Sequence, residues 1–118
     1  MTRHEEIEAA LNVYQTRSRA ATATGAQAFA RLLHLAEERD SGQIARIARF
    51  LAATYNGQAF PLDVFELRAV DVEISDDMLQ CLDALRWGSA DLHTLVPDGD
   101  RRVKALIARW GLRWPEDG

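Results

Sequence analysis

Apolar residues recur along this chain with the period of an α-helix almost from end to end. Ile7, Leu11 and Tyr14 fall at i, i+4 and i+7 and share one helix face. Thr2 with Glu5 has the Thr-x-x-Glu form of a capping box, in which each side chain satisfies the other residue's free backbone donor. A first helix is expected there, with Glu5 and Glu6 favourably placed at the positive end of its dipole. The alanine and threonine stretch 20–24 predicts fraying, which would leave residues 1–24 as a loosely attached N-terminal helix. Thr24 with Gln27 repeats the capping form and opens a second helix ending near Asp40. Its buried stripe is Phe29, Leu32, Leu33 and Ala36, widened by Leu35.

Ser41 is placed to cap a third helix carrying Ile44, Ile47, Ala48, Leu51 and Tyr55 at helical spacing. Asn56-Gly57 offers the left-handed residue that commonly ends a helix. Pro61 disfavours helical geometry at Phe60, so the chain breaks there. Asp63 and Glu66 mark another start, after which Leu67, Val70, Ile74, Met78, Leu82 and Leu85 recur every three or four residues. The alternation Val70, Val72, Ile74 also fits a short strand. Helix is preferred because the stripe runs on to Leu85, with Asp71 or Ser75 restarting it after a bend. Gly88 closes this element, and Ser89 caps a short one over 90–96 that Pro97 ends. Asp98-Gly99 is a turn pair, and Asp100 caps a last helix built on Val103, Leu106, Ile107 and Trp110. Gly111 terminates it, leaving 112–118 as a tail that carries Trp114. The expected fold is all-α, a single compact domain over 1–118 of about five to seven amphipathic helices.

Composition supports a folded core, with 47% hydrophobic and 27% charged residues in a chain of ordinary domain size. Thirteen arginines against one lysine, Lys104, beside nineteen alanines suggest a GC-rich bacterial genome. No basic stretch leads into an apolar run at the N-terminus, and no run approaches the roughly 20 residues of a membrane span, so a cytoplasmic setting is expected.

The candidate chemistry is sparse. His4, His34 and His93 are isolated, and the single Cys81 makes neither an internal disulfide nor a zinc site. Asp98-Gly99-Asp100 lacks the third acid and distal glutamate of a calcium loop. Asp76 and Asp77 point about 100° apart on a helix and do not converge on one cation. Cys81 flanks the Met78–Leu82–Leu85 stripe, where burial dulls a thiol, and no phosphate-holding glycine loop is present. No cofactor, metal or catalytic residue is therefore expected.

Charge is more informative. Residues 1–60 carry seven arginines and six acids, whereas 61–118 carry seven bases and twelve acids. Between 61 and 85 seven acids face Arg68 alone, a stretch that repels nucleic acid phosphates. Glu73, Asp76, Asp77 and Asp83 are the candidate contacts for a basic protein partner. The alternative is a small nucleic-acid-binding regulator using Arg39, Arg46 and Arg49, although an acidic segment follows where a recognition helix would be basic. A weaker alternative is a small-molecule binder or enzyme whose pocket is assembled from distant positions.

Ser41-Gly42-Gln43, Ala48-Arg49-Phe50-Leu51, Asn56, Phe60, Ala69-Val70-Asp71, Ile74 and Asp76-Asp77-Met78-Leu79 form a further pattern. Over about residues 29–87, with a weaker match at the Trp-bearing C-terminal end, it resembles a family of small, functionally uncharacterised proteobacterial proteins, often encoded on plasmids or integrative elements. The resemblance implies a shared fold and a setting rather than an activity. Small acidic proteins of mobile elements commonly bind a host or element protein, and some block defence complexes by occupying surfaces meant for nucleic acid. The expected function is thus that of a non-catalytic accessory protein.

Overall fold

The Glu5 N–H donates to the Thr2 hydroxyl at 3.2 Å, and the Thr2 N–H donates to the Glu5 carboxylate at 3.3 Å. From this capping box a single helix, α1 (Arg3–Glu38), runs unbroken for 36 residues in a computed structural model that describes residues 2–115. The two helices expected on either side of residues 20–24 are therefore one. The Thr22 hydroxyl donates to the Ser18 carbonyl within the helix at 2.7 Å, and the Thr24 cap does not form. Just beyond this stretch another helix lies close. A methyl group built on Gly25 would sit 2.3 Å from the Ala84 Cβ.

That neighbour is α3 (Val72–Trp87), which packs antiparallel to α1. Arg31 lies beside Asp77, Gly25 beside Ala84, and the Ser18 and Ser89 hydroxyls are 2.8 Å apart. Ile74, Met78, Cys81 and Ala84 form its buried stripe, whereas Leu82 is half-buried and Leu85 is exposed, so the expected stripe drifts off the core at its end. The helix expected to begin at Asp63 is also divided. A 3₁₀ helix, η1 (Val64–Arg68), is separated from α3 by Ala69–Asp71. The Asp71 N–H donates to Gln43 Oε1 at 2.6 Å, and its carboxylate accepts from Gln43 Nε2 at 3.1 Å. The bend is thus pinned from α2 (Gly42–Tyr55). Val72 onward is helix, and no strand occurs among the described residues.

α2 contributes Ile44, Ile47, Phe50 and Leu51 to the core. It ends at an extended Asn56, not a left-handed one; the Asn56 side-chain carbonyl accepts the N–H groups of Gln58 and Ala59 and turns the chain instead. Gly88 and Gly111 do end their helices as expected, and both take the left-handed conformation, with φ of 67° and 65°. The short element after Gly88 is a second 3₁₀ helix, η2 (Leu92–Leu95), preceded by Asp91 rather than Ser89. Asp98, not Asp100, occupies the N-cap of α4 (Gly99–Arg109), in a left-handed conformation that aspartate tolerates. The described chain therefore has four α-helices and two 3₁₀ helices, fewer than the five to seven expected, because the first two merge and two others are single tight turns.

α1 leaves its last carbonyls without a basic residue of its own to complement them. Arg109 of α4 supplies the charge, donating to the carbonyls of Ala36, Glu37 and Arg39 at 2.7, 2.7 and 3.1 Å. Residues 112–115 fold back rather than trail, with Trp114 edge-on to Phe60 at 4.8 Å; 116–118 of the expected tail lie outside the described residues. No helix among the described residues is long and apolar enough to cross a membrane.

Because α1 and α3 meet at Gly25, Gly25→Val is expected to lower unfolding free energy in urea by about 1–3 kcal/mol through overpacking. Gly42→Ala, where a methyl meets open space, should leave the midpoint nearly unchanged. Equal effects at the two glycines would contradict the close approach.

Candidate functional site

With Ile74, Met78, Cys81 and Ala84 turned inward, α3 presents Val72, Asp76, Leu79 and Asp83 outward at i, i+4, i+7 and i+11. Val72 is 73% exposed and Leu79 54%, so large apolar side chains alternate with carboxylates on one solvent-facing stripe. Glu73 stands exposed beside it. η1, which packs against α3, adds Val64 and Phe65, both about two-thirds exposed at 67% and 63%. The Asp63 carboxylate accepts the Phe65 N–H at 2.9 Å and fixes this turn, and the Arg68 guanidinium lies over the Phe65 ring at 5.6 Å from its centroid.

The four candidate carboxylates have different circumstances. Asp77 is turned toward α1, where Arg31 grips it through two hydrogen bonds of 2.8 and 3.2 Å, and this pairing raises the Arg31 pKa. Asp83 pairs with Arg86 one turn along the same helix at 2.6 Å. Glu73 and Asp76 make no ion pair or side-chain hydrogen bond among the described residues. The other acids of 61–85 are also engaged: Asp63 in its cap, Asp71 with Gln43, and Glu66 with two arginines. The open carboxylates thus narrow to a neighbouring pair, three residues apart on one side of α3.

Those two arginines are Arg46 and Arg49, which reach Glu66 at 3.2 and 3.1 Å. Two of the three residues that would contact nucleic acid phosphates already share a carboxylate that is largely shielded from solvent. Arg39 stands apart from them at the C-terminus of α1.

Sequence periodicity did not single out Phe65, Val72 or Leu79 as surface residues. The available signal was that Leu79 and Val72 fall off the Ile74–Met78 stripe. A second cluster was equally hidden, because its members are far apart in sequence. The Tyr55 hydroxyl donates to Asp100 Oδ1 at 2.6 Å, Lys104 holds the other carboxylate oxygen at 3.0 Å, and His93 meets the Tyr55 ring edge-on at 4.9 Å. The Tyr55 hydrogen bond, seconded by Lys104, lowers the Asp100 pKa, and the same bond raises that of the Tyr55 phenol. Through the Tyr55–Asp100 hydrogen bond this cluster joins α2 to α4. Cys81 is fully buried, and desolvation pushes its thiol up to about 12. No group of three His, Cys, Asp or Glu side chains among the described residues is arranged to hold a metal ion. A surface cleft of about 270 Å³ between Thr54, Leu85, Gly88 and Leu92 has Asp91 as its only ionisable lining residue among the described residues.

The described residues form a small all-helical fold. The chain belongs to a family of unknown function, DUF7673, whose sequence profile matches residues 26–111. No curated protein and no solved structure matches the chain.

Two measurements probe the electrostatics. A thiol reagent should modify Cys81 slowly in the native protein and rapidly once it is unfolded; fast native labelling would place the thiol at the surface. The Arg102 hydrogen bonds, at 2.6 and 3.0 Å, hold the Glu37 carboxyl below its ordinary range against the opposing effect of burial. A depressed folded-state pKa stabilises fully above the unfolded value, and the gain disappears as pH falls through the folded one. Wild type should therefore exceed Glu37→Gln in stability at about pH 7, and the gap should close toward about pH 3 in urea titrations.

Proposed function

We propose that this protein acts by binding another protein through the outer face of α3 and η1, without catalysing a reaction itself. One observation carries the proposal: Val72 and Leu79 are held in solvent on the same side of α3 as Asp76, with Glu73 next to Val72 and Phe65 exposed on the preceding η1, and the two carboxylates have no partner among the described residues. Apolar side chains flanked by charge suit the composition of a protein interface, where the centre desolvates and the rim steers. The sign of that rim selects a basic surface and disfavours phosphate. The pairing of Arg46 and Arg49 with Glu66 weighs against the nucleic-acid reading, because binding phosphate there would first break an internal pair.

The finer reading is an accessory protein of a bacterial mobile element that inhibits a host defence complex. Support comes from the resemblance of the central block to plasmid-borne and integrative-element proteins, and from the fit of an acidic face to a channel lined for nucleic acid. Arginine and lysine side chains that normally hold phosphates would meet Glu73 and Asp76, while Phe65 and Leu79 would take up apolar ground beside them.

Affinity capture from the native host followed by mass spectrometry identifies the partner, and variants then test the face. Glu73→Lys with Asp76→Lys should slow association and flatten its salt dependence while changing stability by no more than about 0.5 kcal/mol. Phe65→Ala should speed dissociation by roughly tenfold if the ring sits at the interface centre. Strong, salt-sensitive retention of random duplex DNA by the wild type, lost in Arg46→Glu with Arg49→Glu, would overturn the proposal in favour of a phosphate binder.

A further inference from the structure

Asparagine is rare in this chain: only Asn12 and Asn56 occur, and Asn56 is followed by Gly57. The backbone nitrogen after an asparagine can close a small ring on the side-chain amide carbon, Cγ. A side chain on that next residue crowds the closure, whereas glycine leaves it open. The fold treats the candidates differently. Asn12 lies inside α1, followed by the β-branched Val13, and the helix fixes the backbone on both sides of it. Asp98-Gly99 pairs an acid with glycine in the same arrangement, but Gly99 is buried and its N–H donates to the Val96 carbonyl at 3.2 Å.

Asn56 and Gly57 are both exposed, in the turn that follows α2. The Gly57 N–H makes no hydrogen bond among the described residues, so its proton is open to solvent base. The Asn56 side-chain carbonyl accepts the N–H groups of Gln58 and Ala59 at 3.2 and 3.0 Å, which draws electron density from Cγ. One contact opposes attack. Asn56 has an extended ψ of 95°, and its main-chain carbonyl accepts the Phe60 N–H at 2.9 Å. Turning the Gly57 nitrogen onto Cγ gives up that bond. A single exposed turn bond is weak in water, so the fold slows the reaction by only roughly tenfold relative to the unfolded chain.

We propose that Asn56 is a site of spontaneous deamidation in the folded protein, converted to isoaspartate and aspartate through local opening of this turn. The Gly57 nitrogen gives its proton to solvent base and forms a bond to Asn56 Cγ. The Cγ–Nδ2 bond then breaks, and the amide nitrogen takes a proton from water and leaves as ammonia. Water opens the resulting succinimide at either carbonyl. Addition at Cγ leaves aspartate, and addition at the main-chain carbonyl leaves isoaspartate. The two products act differently on the turn. Aspartate keeps a side-chain oxygen for the N–H groups of Gln58 and Ala59. In isoaspartate the chain runs through Cβ and Cγ, and the carbonyl that held Phe60 becomes a free carboxylate. The corner that seats Phe60 against Trp114 at 4.8 Å is then longer by a methylene and has lost its closing bond.

The full chain, incubated under native conditions at mildly alkaline pH, should accumulate isoaspartate and aspartate at position 56, read by peptide mass spectrometry and by enzymatic methylation of isoaspartyl groups. Asn12 should stay unchanged. The rate should rise with pH, because the attacking nitrogen must lose its proton. It should stay flat in guanidinium chloride below the unfolding transition, as local opening requires, and increase roughly tenfold once the chain unfolds. Gly57→Ala should suppress the conversion without disturbing the fold, since a Cβ there meets the Ala53 carbonyl at an ordinary 3.4 Å. The purified isoaspartyl fraction should unfold at lower denaturant than Asn56→Asp. No conversion in the native chain over an interval in which the unfolded chain converts would overturn the proposal. So would a rate that climbs with denaturant below the transition, equal conversion at Asn12, or an undiminished rate in Gly57→Ala. Equal unfolding of the isoaspartyl fraction and Asn56→Asp would overturn the effect assigned to the turn.

Discussion

The approach of α1 to α3 at Gly25 is the constraint on which the other arrangements rest. With a hydrogen in place of a side chain, α1 lets Ala84 reach its backbone, and the neighbouring Cys81 thiol lies 3.9 Å from the Gly25 carbonyl. Small residues contribute little apolar area, so this pair is held by close dispersion contact along the seam and by the larger core beside it. Phe29, Leu32, Leu33, Phe50 and Leu51, all fully buried, supply that core. Once the seam is set, the rotation of α3 about its axis is set too. That rotation sends Asp77 to Arg31 and leaves Val72, Asp76 and Leu79 facing water.

A second tie fixes α4. Arg109 caps the carbonyl end of α1, Arg102 grips Glu37 of the same helix, and Tyr55 clasps Asp100 from α2. These contacts differ in kind from the exposed i, i+3 and i, i+4 pairs such as Arg101–Asp98 and His4–Glu8, which contribute little in water. The interhelix contacts join residues 45 to 73 positions apart and decide where the C-terminal helix docks.

The same economy of internal pairing shapes the outer face of α3. A segment with seven acids reads as a broad negative face, yet the fold engages most of them in caps, bends and ion pairs. The remaining pair, Glu73 and Asp76, gains weight from its apolar neighbours rather than from charge alone. Membership of a family of unknown function covers residues 26–111 and so includes this face, while the first turns of α1 precede it.

Periodicity and capping residues by themselves determined the all-helical class, the starts of α1 and α2, the helix ends at Gly88 and Gly111, and most of the buried stripes. These are local properties, legible because a helix repeats within four residues. Tertiary structure alone decided that the helix runs through the Ala-Thr stretch without fraying, since Gly25 just beyond it packs against Ala84 of α3. It decided between Asp71 and Ser75 as the point where the helix from Asp63 restarts, because Gln43 lies 28 residues away and supplies both hydrogen bonds at Asp71. It also decided which of the acids remain open, since Asp77 and Glu66 find their arginines on other helices. A carboxylate's availability depends on what the fold places within about 3 Å of it, and a one-dimensional pattern carries no such distance.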